Sequence, residues 1–225
     1  IWVGGDTSPN KIEQAKQSLR EAKRYGEDKY SLVLLRCPWC GIQMGPVKNP
    51  RSGSNFIIRG VKQIDDLSHH CPDPKCKFNH KLPVAVIDEQ LYKDPPSLVI
   101  GTVDKFASLT WRSEARALFG IDSEGNRIKS PPGLIIQDEL HLITGPLGSV
   151  VGLYETLVEE LCTDRRIENF AVKPKIICAT ATTRASERQI LDLFARKRAS
   201  IFPASGLSAD DSFFAKYDRE TDGSR

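Results

Sequence analysis

No stretch of this sequence approaches the run of about 18 consecutive apolar residues that a membrane-spanning helix needs, which excludes a helical membrane span. Charge imbalance is almost missing as well. Lys plus Arg number 32 against 29 Asp plus Glu, a formal charge of +3 that by itself announces no polyanionic partner. Ahead of Ile1 there is no initiator methionine, basic n-region or signal-like apolar core, so the chain reads as an interior piece of a longer, cytoplasmic protein. None of the 16 glycines is followed by lysine, so the phosphate-cradling G-x-x-x-x-G-K-[ST] loop is missing. No His-Glu-x-x-His pair occurs either, and the acids lie far in sequence from the cysteines, which disfavours a zinc hydrolase. No internal repeat is found. What remains, 40% apolar and 27% charged residues, is ordinary for one soluble globular domain that carries a smaller insertion.

Short apolar strands alternate with amphipathic helices. "IWVGGDTSPN" reads as a strand end, a Gly4-Gly5 turn and a helix start with Ser8 as N-cap and Pro9 at the first helical position. Ile12, Ala15, Leu19 and Ala22 recur at steps of three and four, and Gly26 stands where a terminating glycine belongs. Further strands are expected over Ser31–Cys37, Leu98–Ile100, Leu134–Ile136 and "KIICATAT". Residues 120–133 read as a surface hairpin or loop. A helix is expected to carry Leu147, Val150, Val151, Tyr154, Leu157, Val158 and Leu161 on one face, and Ser186 to Gln189 matches a capping box opening a last helix. The pattern predicts an α/β fold, a parallel sheet covered by helices on both faces. We expect residues 1–36 and 82–203 to form this lobe, 37–81 an insertion, and 204–225 a linker.

The insertion holds four of the six cysteines, in two close pairs. Cys37-Pro-Trp-Cys40-Gly is a zinc-knuckle sequence, in which thiolates two residues apart face one ion and Gly41 permits the tight turn. Cys71 and Cys76 supply a second pair at a longer spacing, which leaves His69, His70 and His80 open as the fourth ligand. A closed four-ligand site is structural, and its expected role is to fold a segment too polar to build its own core. Disulfides or free thiols are the alternative. Between Gly41 and Ile64 there is no acid, while Lys48, Arg51, Arg59 and Lys62 are present; they can bind phosphates or simply be solvated. The same two readings apply to the basic helix from Arg184 to Arg198. Cys162 and Cys178 read as buried small residues.

"LIIQDELHLITG" runs an aliphatic strand into Asp138 and Glu139, with His141 two residues on. In an open parallel sheet ligands sit beyond the carboxyl ends of the strands. A strand ending in Asp-Glu fits the Walker B arrangement: Asp138 holds Mg²⁺ through water and Glu139 orients or deprotonates the water attacking a γ-phosphate. The plain alternative is a solvated helix start, where acids suit the dipole.

Asp138-Glu-Leu-His141 resembles the DExH form of motif II in superfamily 2 helicases and translocases, and Thr180-Ala-Thr182 resembles their motif III. "GTVDKF" from Gly101 looks like the strand-end motif that touches nucleic-acid backbone, and "VGGD" from Val3 like the glycine doublet preceding it. "PSLVIGTVDKFASLTW", "IIQDELHLITGPLGS" and "GLSADDSFFA" further resemble the helicase subunit of the DISARM bacterial anti-phage defence system. The resemblance implies an incomplete RecA-like lobe of an ATP-dependent DNA helicase or translocase, working with other subunits of a defence complex. It implies Asp138 as Mg²⁺ ligand, Glu139 as general base, and His141 with Thr180 and Thr182 as the coupling element, His141 hydrogen-bonding the hydroxyls. It implies Gly4, Gly5, Thr102 and Lys105 as strand contacts, ATP and Mg²⁺ as cofactors of the whole protein beside the structural zinc, and negligible ATP hydrolysis by residues 1–225 alone. The competing reading is a zinc-ribbon nucleic-acid or protein-binding module on an inert α/β scaffold.

Overall fold

The structure, a computed structural model, describes residues 1–4, 7–51, 55–62, 67–143, 145–167, 169–181, 186–196, 198–203 and 213, without the side chains of residues 145–147, 186 and 187. Gly5, Thr182 and, apart from Phe213, the expected linker lie outside the described residues. In chain order the elements are α1 (Ile12–Tyr25), β1 (Gly45–Lys48), β2 (Phe56–Arg59), β3 (Val61–Lys62), β4 (Ser68–His69), α2 (Asp88–Lys93) and α3 (Val103–Ala107). There follow β5 (Leu134–Gln137), α4 (Gly145–Cys162), β6 (Asp164–Ile167), β7 (Phe170–Val172), β8 (Lys175–Cys178) and α5 (Ser186–Phe194). No helix of the described residues is long and apolar enough to cross a membrane.

The chain divides into two compact units, Ile1–Gly133 with Leu157–Pro174, and Leu134–Thr156 with Lys175–Arg225. In the first, α1 buries the periodic face read from the sequence: Ala15 and Leu19 join Leu32, Leu67, Val86 and Ile87 in one core. The helix starts later than Ser8-Pro9 predicts. The N-cap position is Lys11, and the Ser8 hydroxyl is buried and donates to the Val86 carbonyl. Gln14 Oε1 instead accepts the N–H groups of Asn10 and Lys11, each at 3.1 Å. Gly26 ends the helix as expected, its N–H bonded to the Ala22 carbonyl.

Two expected strands do not form. Over Ser31–Cys37, Val33 adopts φ 60° and Leu34 N–H bonds the Leu32 carbonyl at 2.6 Å, so the chain turns where a strand would run on; a single bridge, Arg36 with Gln43, remains. Leu98–Ile100 forms no ladder: it is tied by the Trp2 N–H to the Ile100 carbonyl at 2.7 Å, beside one parallel bridge of Trp2 with Gly101, and the Gly4 carbonyl is taken by the Thr7 and Ser8 N–H groups rather than by a strand. Leu98 is accordingly 72% exposed. Residues 121–127 do form the expected hairpin turn, with Asp122 Oδ1 accepting the N–H groups of Glu124 and Asn126.

The described strands pair two by two: β1–β2, β3–β4 and β6–β7 antiparallel, β5–β8 parallel. A mixed helix–strand fold with a small parallel sheet is thus observed, rather than one broad sheet. The cysteine-bearing segment turns at Gly60, which joins β2 to β3. Its φ is +79°, and a Cβ there would lie 2.7 Å from Met44 Cε and 2.8 Å from the His70 carbonyl oxygen. Left-handed backbone costs a residue with a Cβ about 1–2 kcal/mol before any clash. Gly60→Ala is therefore expected to destabilise the first unit by at least about 2 kcal/mol, read as a lowered thermal midpoint.

In the second unit β5 and β8 run in register, Ile135 opposite Ile176 and Gln137 opposite Cys178. β5 is the strand read from "LIIQ", and β8 carries "KIIC" up to the start of the TAT segment. α4 and α5 occupy the expected stretches.

Candidate functional site

The β5–β8 ladder continues one residue past the strands: Ala179 N–H bonds the Gln137 carbonyl at 2.9 Å, and Leu140 N–H bonds the Ala179 carbonyl at 3.0 Å. This double tie places Asp138, Glu139 and His141 beside Thr180 and Ala181, at the carboxyl ends of two adjacent parallel strands. That is where ligand sites of open parallel sheets form. Asp138 and Glu139 are exposed, while Leu140 is fully buried and anchors the turn.

The turn itself is strained. Glu139 sits at φ 50°, ψ 41°, the left-handed region, which costs a non-glycine residue about 1–2 kcal/mol and collects at functional sites. Asp138 Oδ1 accepts the Glu139 N–H at 2.9 Å, holding that conformation. Glu139 Oε2 lies 3.3 Å from His141 Nδ1. The Ala181 N–H lies 3.5 Å from the same Nδ1. A protonated Nδ1 donates to Glu139, and a bare one accepts from Ala181, so the imidazole stands between the carboxylate and the Ala181 main chain.

One supporting residue was not singled out from the sequence. Gln189 Nε2, on α5, donates to the carbonyls of Leu140 at 3.2 Å and Ile143 at 2.9 Å, fastening the loop that follows the acids. Its only sequence signal was the capping box, in which it served its own helix.

In the first unit, Gly4 and Thr102 come together around the Trp2–Gly101 bridge, Thr102 N–H bonding the Trp2 carbonyl at 3.3 Å. Thr102 is exposed, but Lys105 is turned inward. Its ammonium lies 2.7 Å from Asp88 Oδ2 and 3.2 Å from Asn10 Oδ1. Arg112 Nη1 approaches the same Asp88 oxygen at 3.6 Å, and the Tyr92 hydroxyl donates to it at 3.4 Å. Burial first, then the nearby Asp88 charge, pushes the Tyr92 hydroxyl up to about 12.

The four cysteines converge in this unit. The sulfurs of Cys37, Cys40, Cys71 and Cys76 all lie within 4.8 Å of one another. Four thiolates arranged tetrahedrally on zinc at about 2.3 Å stand about 3.8 Å apart, so the cluster fits such an ion. It is not a disulfide pair: Cys40 Sγ and Cys71 Sγ are 3.5 Å apart, far beyond a bond of about 2.05 Å. Gly41 takes φ +74° and its N–H bonds the Cys37 carbonyl at 2.9 Å, closing the knuckle. Cys71 N–H bonds the Phe78 carbonyl at 2.8 Å, closing the second loop. Met44 and Leu82 pack against the sulfurs. His69, His70 and His80 are not in the cluster, which leaves four sulfurs as the ligand set. Burial works to raise the Cys37 thiol, but the N–H groups of Cys40 and Trp39 together with the Cys40 and Cys71 side chains outweigh it and bring it to about 7. Burial pushes the Cys71 thiol up to about 12. Of the remaining two, Cys162 is buried as expected and Cys178 partly so.

No family model matches the chain. Over nearly its whole length the chain is similar to the DISARM protein DrmA of Bacillus paralicheniformis, 36% identical across 250 residues that cover 96% of this chain and 22% of that protein. The chain therefore spans about a fifth of the length of the curated relative it matches, and its relationship is to a DISARM protein.

Proposed function

We propose that this chain carries the hydrolytic edge of an ATP-driven DNA helicase or translocase of the superfamily 2 DExH type, within an incomplete RecA-like lobe. The observation that carries the reading is the convergence of Asp138, Glu139 and His141 with the Thr180–Ala181 main chain on one strand-end rim. Two acids with separate partners supply what phosphoryl transfer demands, charge neutralisation and an aimed water. Asp138 is the residue to hold Mg²⁺ and Glu139 the one to polarise the attacking water. His141, with Thr180 and Thr182, passes the state of Glu139 to the neighbouring strand. Mg²⁺, when bound with ATP, would neutralise charge developing on the phosphates. Gly4, Gly5 and Thr102 are the residues assigned to contact a nucleic-acid backbone, with Lys105, buried against Asp88 and Asn10, supporting the Thr102 turn. The four thiolates hold structural zinc. The likeness to a DISARM protein supports a role in phage defence beside other subunits, in the cytoplasm, where paired thiols stay reduced.

The sequence contains no Gly-Lys phosphate loop, so the purified chain is expected to hydrolyse ATP negligibly. The test is Glu139→Gln in the longer protein that carries these residues. ATPase turnover should fall by about 10²- to 10⁴-fold, the usual worth of a general base, while binding of single-stranded DNA persists. Unchanged turnover would favour a metal-ribbon binding module on an inert scaffold, a reading that the intact cysteine cluster keeps in play.

A further inference from the structure

The cysteine knuckle presents an aromatic platform that neither the metal centre nor the strand-end rim uses. Trp39 lies between Cys37 and Cys40 and is 64% exposed, although it is the largest apolar side chain of its segment. The ring is not on a loose loop, since the Cys37–Gly41 and Cys37–Ile42 hydrogen bonds fix the backbone on both sides of it. Phe78, from the second cysteine loop, meets Trp39 edge to face at 5.5 Å. Lys77 Nζ stands 5.7 Å from the Trp39 centroid and 5.9 Å from that of Phe78. Arg36 Nη1 donates to the Gly41 carbonyl at 3.2 Å, which sets a second cation at the knuckle. From Cys37 to Lys81 the sequence holds seven basic residues, Lys48, Arg51, Arg59, Lys62, Lys75, Lys77 and Lys81, against three acids, Asp65, Asp66 and Asp73. The Asp73 carboxylate is turned onto the Lys75 N–H at 2.8 Å.

We propose that Trp39, with Phe78, Lys77 and Arg36, is a stacking site for single-stranded nucleic acid, an unpaired base lying on the indole and the two cations facing flanking phosphates. An exposed, rigidly held π surface rimmed by positive charge is what sequence-tolerant single-strand binders use. A duplex hides its base faces and gains nothing from the indole. The inference rests on the folded metal ribbon and goes beyond ATP hydrolysis, so Glu139→Gln leaves it untouched.

The experiment uses the intact zinc-loaded protein without nucleotide and fluorescein-labelled oligo-dT, oligo-U and duplex of about 20 nucleotides, followed by anisotropy over a salt series. Trp39→Ala should weaken single-strand binding about 10-fold and duplex binding less than about twofold, without changing the salt slope. Trp39→Phe should bind within about threefold of wild type, and Lys77→Ala should reduce the salt slope by about one. Loss on oligo-dT, oligo-U or both supports the site and states whether the strand is DNA, RNA or either. Metal content is measured on each variant. Should Trp39→Ala lose zinc, photocrosslinking of 5-iodouracil-substituted oligomers to the wild-type protein decides, with adducts expected on Trp39 or Phe78. A zinc-retaining Trp39→Ala within twofold of wild type, an equal loss on duplex, or crosslinks that all fall outside residues 36–81 would each overturn the proposal. So would a variant that loses another protein subunit while holding the oligomers normally, since that outcome makes the platform a protein contact.

Discussion

Removing the metal with a chelator is expected to unfold the segment from Arg36 to Leu82 while α1 keeps its helix. The sulfurs within 4.8 Å of one another are the centre of a small core in which only Met44 and Leu82 are buried beside them, with partly buried Leu34, Ile42, Phe78 and Val84 packed around it. Structural zinc contributes on the order of 10 kcal/mol to folding in small cysteine sites, more than most whole domains retain as net stability. The metal-free site also disfavours its own geometry. Four thiols must share one small volume, and burial holds Cys71 protonated at neutral pH by pushing it up to about 12. Metal uptake therefore displaces protons, and affinity should fall as pH falls. The checks are one zinc per chain by elemental analysis, proton release on reloading, and four additional reactive thiols after chelation. Cys76→Ser should lose the metal, whereas His69→Ala, His70→Ala and His80→Ala should keep it. A metal-free chain with native protease resistance across residues 36–82 would refute the centre.

The second large effect is expected at Asp88. This carboxylate is 1% exposed and is the shared partner of Lys105 at 2.7 Å and Arg112 at 3.6 Å. Its Oδ1 is buried and finds no partner among the described residues, so the ion cluster is held through Oδ2 alone. Asp88→Ala leaves a buried ammonium uncompensated, a change that costs about 3–5 kcal/mol. In a chain of this size that is a fall in melting temperature of roughly 10 °C. Lys105→Met should be milder because it removes the charge and keeps the stem. The double variant Asp88→Ala, Lys105→Met should recover part of the loss, which a double-mutant cycle reads directly. Additive losses would show that the pair is not coupled and that Lys105 is free to face a strand of nucleic acid.

These two clusters show how differently parts of the molecule were written into the chain. The cysteine centre was legible because its pairs are local: Cys37 with Cys40, and Cys71 with Cys76, each close their own loop through backbone hydrogen bonds a few residues long. What spacing could not say was whether histidine supplied the fourth ligand, since His69 and His70 adjoin Cys71 and only the folded segment turns them away from the sulfurs. The strand into Asp138 and the α1 face were likewise legible from periodicity, which depends on neighbours alone. The strand expected at Ser31–Cys37 was misread for the same reason. An apolar run marks burial, as Leu32 is buried, but not the backbone path that Val33 takes.

By itself, then, the sequence determined the elements whose cause lies within about one turn or one loop: the buried face of the first helix and its end at Gly26, the aliphatic strand ending in Asp138-Glu139, the paired cysteines and the missing phosphate loop. Tertiary structure decided what depends on partners far along the chain. It sent the Ser8 hydroxyl to Val86 rather than to a helix end, 78 residues away. It turned Lys105 inward to Asn10 and Asp88, the first of them 95 residues away. It brought Ala181 to His141 across 40 residues. A side chain's choice among polar partners is settled by which of them burial brings near, and no local pattern contains that choice.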